Sequence, residues 1–418
     1  MAAKRKQRPC APPQAQPSPA ARLLPYGRHL IEADDIAAVV ELLRENLADT
    51  GLLTQGPRVA AFETALAQAV GADHAVACAS GTAALHLALR ALDVEEGDAC
   101  VVPAMTFLST ATAVRLCGAE VVFADVDPDT GLMGPEHLAE ALARADRPVK
   151  AALPVHLGGR ACDMAGMAKV ATAHGLALVE DGCHALGTAG PCGRVGDARH
   201  SAAAVFSFHP VKTIACGEGG AVTTQGPALA ARMKRLRNHG VTREPDLLTD
   251  GALSLDGAGQ PNPWSYEQLE LGFNYRMTEI EAALGLSQLG KLDRFVRRRA
   301  ELSDLYDALL APLGPHVRPV ARQGGESLHL YGLLIDFEAL GLDRATLMRG
   351  MAARGIGTQV HYIPVYRQPY FTRRYGPQRL PGAEAYYARA LSLPLFPAMS
   401  ENDVRRVCGA LAAEMMRG

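Results

Sequence analysis

No cysteine pair in this 418-residue chain has C-x-x-C spacing, and its nine cysteines are an odd number. A chain of this length also buries a core that needs no covalent staples. A disulfide framework is therefore not expected, and a reduced, cytoplasmic setting is. No apolar run approaches the roughly eighteen residues of a membrane span. Neither charge sign dominates: 42 basic against 44 acidic residues leave a net charge of −2. That balance gives no footing for a nucleic-acid or membrane surface. Acidic residues are missing altogether from positions 1–24, which carry Lys4, Arg5, Lys6, Arg8, Arg22 and five prolines. With no apolar segment to make it a secretory signal, this stretch is expected to be a disordered basic tail.

What remains suits a soluble α/β enzyme large enough for two domains. Glu32 to Leu43 carries Ile36, Val39, Val40 and Leu43 at helical spacing, and a second helix shows Val59, Phe62, Leu66 and Val70 on one face before Gly71. Short apolar runs then trade places with helices, at 75–79, 99–102, 120–124, 150–155, 176–179 and 203–208. Such alternation predicts a mostly parallel sheet covered on both faces, with ligands at the carboxyl ends of its strands. A smaller unit follows: a long helix over 278–310, a strand over 328–337, a helix over 345–354, a strand over 356–362, and a last helix capped by Ser400.

The chemistry-bearing residues fall at those strand ends. Ser80-Gly81-Thr82-Ala83 opens a helix after the first run, which suits either an ordinary helix cap or an anion such as phosphate. No G-x-G-x-x-G marks this turn as a dinucleotide site. The glycine-containing stretch 285–291 lies inside a helical pattern and lacks a following Ser or Thr, so it is not a phosphate loop. Phe107, after the second run, suits either the core or a stack on a planar ring. Asp181 leaves an apolar strand with His184 three residues on. It fits a turn cap or the partner of a protonated pyridine nitrogen. Lys212 follows the apolar run 203–208. It is either a surface lysine on a turn or an amine kept for a Schiff base, since an ammonium costs several kcal/mol (roughly) to bury unpaired. An anion site, a stacking ring, a carboxylate and a lysine together describe pyridoxal 5'-phosphate.

The chain resembles the DegT/DnrJ/EryC1/StrS sugar aminotransferases, of fold type I among pyridoxal-phosphate enzymes. The resemblance rests on Ser80-Gly81-Thr82-Ala83-Ala84-Leu85-His86, Glu180-Asp181-Gly182-Cys183-His184, Phe206-Ser207-Phe208-His209-Pro210-Val211-Lys212, Arg237-Asn238-His239-Gly240, Asn274-Tyr275-Arg276 and Val360-His361-Tyr362-Ile363-Pro364. One departure is Cys183, where relatives usually carry a small residue such as alanine. The resemblance implies a seven-stranded, mostly parallel sheet in a large domain at 25–275, with a smaller α+β domain at 276–418. It makes Lys212 the Schiff-base lysine, Asp181 the partner of the pyridinium nitrogen and His184 a neighbour of the cofactor. Phe107 is to stack on the ring, and Thr82, Ala83 and Ser207 are to bind the phosphate. Asn274 is to reach the phosphate of a neighbouring subunit, which implies a homodimer with shared sites; by pattern alone it also suits a helix cap. Related dehydratases on this scaffold replace the lysine with histidine, and Lys212 argues against that chemistry.

The expected substrates are L-glutamate and a nucleotide sugar. Leu24-Pro25-Tyr26-Gly27-Arg28 and Pro263-Trp264-Ser265-Tyr266 resemble one branch of the family. That branch acts on UDP-4-keto-6-deoxy-N-acetyl-L-hexosamine in pseudaminic acid synthesis. The segment from His361 to Phe371, with Tyr362, Tyr366, Tyr370 and Arg367 and with Arg373 just beyond, suits either a nucleotide-sugar contact or a domain-closing loop.

Overall fold

The computed structural model describes residues 23–48 and 51–416. The expected basic tail lies outside the described residues up to position 22. Leu24 is already buried and bridges Ile356. The centre is a seven-stranded sheet. Its strands are β1 (His74–Cys78), β2 (Ala99–Pro103), β3 (Glu120–Ala124), β4 (Val149–Ala152), β5 (Ala177–Asp181), β6 (Ala203–Ser207) and β7 (Gly220–Thr224). Their order is β1-β7-β6-β5-β4-β2-β3. Only β7 runs against its two neighbours, with Val222 opposite both Val76 and Val205. The parallel pairs match Val101 with Val122 and Val179 with Ala203, so apolar side chains cover both faces. Such strands read as unbroken hydrophobic runs because neither face meets water.

Helices α1 (Ala33–Ala48), α2 (Pro57–Val70), α3 (Gly81–Ala91), α4 (Leu108–Leu116), α5 (Pro135–Ala143), α6 (Met164–His174) and α7 (Pro227–Arg237) pack around the sheet. α2 has only Gly56 as its cap residue. The buried Glu279 carboxylate fills that role from across the chain, accepting the N–H groups of Gly56 (2.9 Å), Arg58 (2.8 Å) and Val59 (3.1 Å). An anion at a helix start answers both the orphan donors and the dipole.

The expected long helix over 278–310 is two helices, α8 (Glu279–Leu289) and α9 (Leu292–Leu310). Gly290 ends the first, and Lys291 leaves helical geometry at φ −104°, ψ 0°. There its ammonium meets Asp34 at 2.7 Å and Asp35 at 2.6 Å. Glycine disfavours the helix interior, and the ion pairs fix the break. The expected strand over 356–362 is also absent. Ile356 pairs with Leu24 and Gln359 with Ser392 as isolated bridges, and Gly355 takes φ +71°. A segment whose bridges go to two different partners makes no ladder. The C-terminal sheet holds β8 (Val317–Pro319), β9 (Tyr331–Ile335) and β10 (Ala390–Leu393), all antiparallel. It shares a core with α9, α10 (Arg344–Ala353) and the closing helix α11 (Glu401–Met415), through Leu302, Tyr306, Met351, Phe396 and Val404. Ser400 caps α11 as expected, in a reciprocal box with Asp403.

Candidate active site

The carboxyl ends of β1, β5 and β6 converge on a cavity of about 500 Å³. Thr82, Phe107, Asp181, His184, Ser207 and Lys212 all line it. At the end of β1, Ser80 Oγ accepts the Ala83 N–H at 3.1 Å and starts α3. The turn fits against the opposite strands with no room to spare. A Cβ on Gly81 would lie 2.8 Å from Ser207 Cβ and 3.2 Å from Cys183 Sγ, and one on Gly220 would lie 2.3 Å from the Ser80 carbonyl oxygen. Thr82 and Ser207 therefore face the cavity side by side with a helix N-terminus, an arrangement suited to a phosphate. Ala83 is buried, stands behind this lining, and its N–H is spent on Ser80.

Asp181 ends β5 and is 5% exposed. Its Oδ1 accepts the Cys183 N–H at 3.1 Å and its Oδ2 accepts the Thr110 hydroxyl at 2.8 Å. Thr106 Oγ1 stands 2.7 Å behind Thr110 Oγ1. The carboxylate is thus held between two donors with no cation bonded to it. Lys212 sits on a turn after β6, with its N–H donated to the His209 carbonyl at 2.8 Å. Buried Phe208, Ile214 and Cys216 pin that turn from both sides. The lysine is half-buried and forms no ion pair with any described residue. Burial depresses its pKa, with Cys183 and then Asp181 pulling the other way. An unpaired amine biased towards its neutral form, beside a pinned carboxylate, is the donor set a pyridoxal aldehyde and pyridinium call for.

His184 accepts the Gly158 N–H on Nδ1 at 3.2 Å, which leaves its proton on Nε2, 3.1 Å from the Tyr362 oxygen. Phe107 stands just before α4 and is 54% exposed, with its ring 5.9 Å from that of Tyr362. Asn274 does not line the cavity. It is exposed and bridges Asn238, while its neighbours Phe273 and Tyr275 stack and Tyr275 bonds His86. It caps no helix either, because Thr278 caps α8 in a box with Glu281.

The sequence pattern passed over Thr106, Thr110 and Tyr26. The two threonines stand four apart at the start of a helix, the one sign that they share a face. Tyr26 reaches the cavity from near the start of the described residues, and the sequence marks it only as part of the Leu24–Arg28 stretch, with no role.

A profile of the DegT/DnrJ/EryC1/StrS aminotransferase family matches residues 31–412. The chain belongs to that family. It is a sugar aminotransferase family enzyme, and its cofactor is pyridoxal phosphate. The chain is 38% identical over 395 residues to the spore coat polysaccharide biosynthesis protein SpsC of Bacillus subtilis (strain 168), covering 93% of this chain and 96% of SpsC. It is similar in structure to Helicobacter pylori PseC, an aminotransferase of pseudoaminic acid biosynthesis, at TM-score 0.84 and 28% identity, over 95% of this chain and 100% of PseC. The PLP form of the putative sugar aminotransferase Spr1654 from Streptococcus pneumoniae aligns at TM-score 0.81 and 26% identity, over 95% of this chain and 99% of that one.

Four buried histidines in and around the site, His184, His329, His361 and His86, are held below their usual range. Burial, with the positive charges of Lys212 and Arg160 nearby, holds His184 well below its usual range. Burial does the same to His329, to His361 (down to about 3) and to His86 (down to about 4). Unfolded, each imidazole takes up a proton near pH 6.5 (roughly). Folded, it does so only at much lower pH. The unfolded state therefore binds more protons below that point, and stability is full above it and falls with acid. The expected cost is up to about 1.4 kcal/mol per pH unit for each histidine. Melting temperature should drop steeply between pH 7 and 5, with proton uptake on unfolding in calorimetry. A flat melting curve across that range would show that these imidazoles titrate alike in the folded and unfolded states.

Proposed function

We propose that the cavity takes an amino group from L-glutamate and passes it to the keto carbon of a 4-keto-6-deoxy nucleotide sugar. The acceptor we favour is UDP-4-keto-6-deoxy-N-acetyl-L-hexosamine, as in pseudaminic acid biosynthesis. The observation that carries the amino-transfer reading is the pair in one cavity: a Lys212 with no ion pair among the described residues and an Asp181 carboxylate held by Cys183 N–H and Thr110. Pyridoxal phosphate supplies an aldehyde for amine exchange and a ring that accepts an electron pair. Asp181 would hold the proton on the ring nitrogen. Lys212 Nζ, released when the donor amine binds, would take the proton from the donor Cα and return it on the other side of the exchange. Thr82, Ser207 and the N-terminus of α3 around Ala83 would hold the phosphate, Phe107 would cover the ring, and His184 would sit beside it.

The same proposal has two copies of the chain sharing their sites, with Asn274 presented to the partner's phosphate; its exposure outside its own cavity supports this. It places the enzyme in the cytoplasm, with 25–275 as cofactor domain and 276–418 as the smaller one. The likeness to PseC supports the favoured sugar. A second reading, another UDP- or dTDP-linked keto sugar, is supported by the likeness to DesI, solved in the presence of its TDP-sugar product (TM-score 0.81, 33% identity).

A panel of UDP- and dTDP-linked keto sugars, assayed with glutamate, tests the choice. The expected result is the highest kcat/KM with the UDP-linked 4-keto-6-deoxy-N-acetyl sugar. Preference for a dTDP sugar moves the assignment to the second reading, and a cofactor-loaded protein that aminates none of them ends both.

A further inference from the structure

One wall of the cavity is an unbroken arc of rings. Phe107 lies 5.9 Å from Tyr362, Tyr362 lies 4.8 Å from His361, and His361 lies 5.6 Å from Tyr26, centroid to centroid. All four residues line the cavity that Lys212 also lines. The arc is longer than one pyridine ring can cover. With Phe107 set against the cofactor, the Tyr26 end is left to the substrate.

The polar tips along the arc are not equivalent. The Tyr362 oxygen is held by His184, and His361 Nδ1 is held by Ser392 Oγ at 2.8 Å. The Tyr26 hydroxyl meets no hydrogen-bonding partner among the described residues. Its backbone, by contrast, is fastened on both sides. Leu24 exchanges hydrogen bonds with Gly355 and Gly357, and the Tyr26 carbonyl accepts the Leu395 N–H at 3.1 Å. Gly27 then lies against Val211, the neighbour of Lys212, with 3.7 Å between an added Cβ and Val211 Cβ. The backbone carrying the ring is therefore fastened to C-terminal segments at 355–357 and 395, while the chain beside it touches the lysine turn. Burial holds the neighbouring His361 imidazole well below its usual range, and among the described residues no arginine lines the cavity. A flat, neutral wall with one free hydroxyl suits the apolar face and the hydroxyl or amide substituents of a hexose better than it suits a carboxylate.

We infer that Tyr26 is a specificity residue for the acceptor sugar: its ring supports the hexose and its hydroxyl bonds a ring substituent, setting the keto carbon against Lys212. The inference rests on the sugar-aminotransferase reading of the site.

The two half-reactions, followed separately by cofactor absorbance in single turnovers, test it. Tyr26→Phe keeps the ring and removes the hydroxyl, so about one hydrogen bond to the sugar is lost. The half-saturating concentration of the keto-sugar nucleotide should rise about tenfold, as loss of about 1.4 kcal/mol predicts. The effect on the sugar step should exceed that on the glutamate step severalfold. Tyr26→Ala, which also removes the ring, should widen that ratio further. Equal effects on the two steps would mean that Tyr26 only props the site, and no effect on either would mean that it touches nothing; both overturn the inference while leaving the proposed function standing. A wild-type protein that aminates no keto-sugar nucleotide removes the reading and this inference with it.

Discussion

Lys212→Ala is expected to lower amino transfer by more than about 10³-fold, because the substitution removes both the covalent anchor and the proton carrier of the exchange. The cofactor should still be held through its phosphate and ring contacts, but a borohydride-sensitive visible band joining it to the protein should vanish. Stability gives the contrast. Lys212 is half-buried with no ion pair among the described residues, so its removal relieves the partial burial of an amine instead of breaking a contact. The melting temperature of the variant without cofactor should be unchanged or slightly raised. A surface lysine on a turn would behave differently: its loss would leave amino transfer within about tenfold of the wild type, and that result would remove Lys212 from the chemistry.

The parts of this site that were legible in the sequence are those where a polar residue interrupts an apolar strand. Asp181, at the end of β5, and Lys212, on the turn after β6, stand out because both strands are buried on both faces, although the sequence alone leaves each open between a structural role and a bound group. The alternation of strands and helices likewise announced a covered parallel sheet. The roles of Thr82, Ser207, His184 and Phe107 came from the family resemblance, since each residue alone suits an ordinary cap or core position equally well. What stayed hidden depends on distant segments meeting. None of the apolar runs expected for the sheet covers 220–224, yet β7 there inserts between β1 and β6 as the antiparallel strand. Glu279 reads as a first-turn helix residue, yet its carboxylate caps α2 over 220 positions away. Thr110 looks like a helix-surface hydroxyl until the fold sets it 2.8 Å from Asp181. Periodicity reports which face of an element is buried, not what that face meets.

Asp181→Asn is the variant in which the carboxylate's charge can be weighed against its hydrogen bonds. The amide that replaces the carboxylate could still accept the Cys183 N–H on its oxygen, and its nitrogen could donate to Thr110 Oγ1, which would turn its own proton away. The local structure should hold. If Asp181 served only to tie down the turn after β5, even its complete loss would cost about 0.5–2 kcal/mol, the range for a lost cap, and amino transfer would barely change. If it faces a ring nitrogen, the neutral amide cannot keep that nitrogen protonated. The ring then accepts electrons poorly, and removal of the donor Cα proton by Lys212 slows. A charge–charge contact in a site with little water is worth far more than in bulk solvent, so the expected loss in the glutamate half-reaction is about 10²-fold or more. Lys212 should still capture the cofactor, giving a coloured, folded protein that turns over slowly. Stopped-flow absorbance of the glutamate half-reaction, read beside a thermal melt, distinguishes the two roles. A slow half-reaction with a nearly normal melt assigns Asp181 to the ring nitrogen, whereas a fast half-reaction with a lowered melt leaves it as a turn cap and removes the carboxylate from the mechanism.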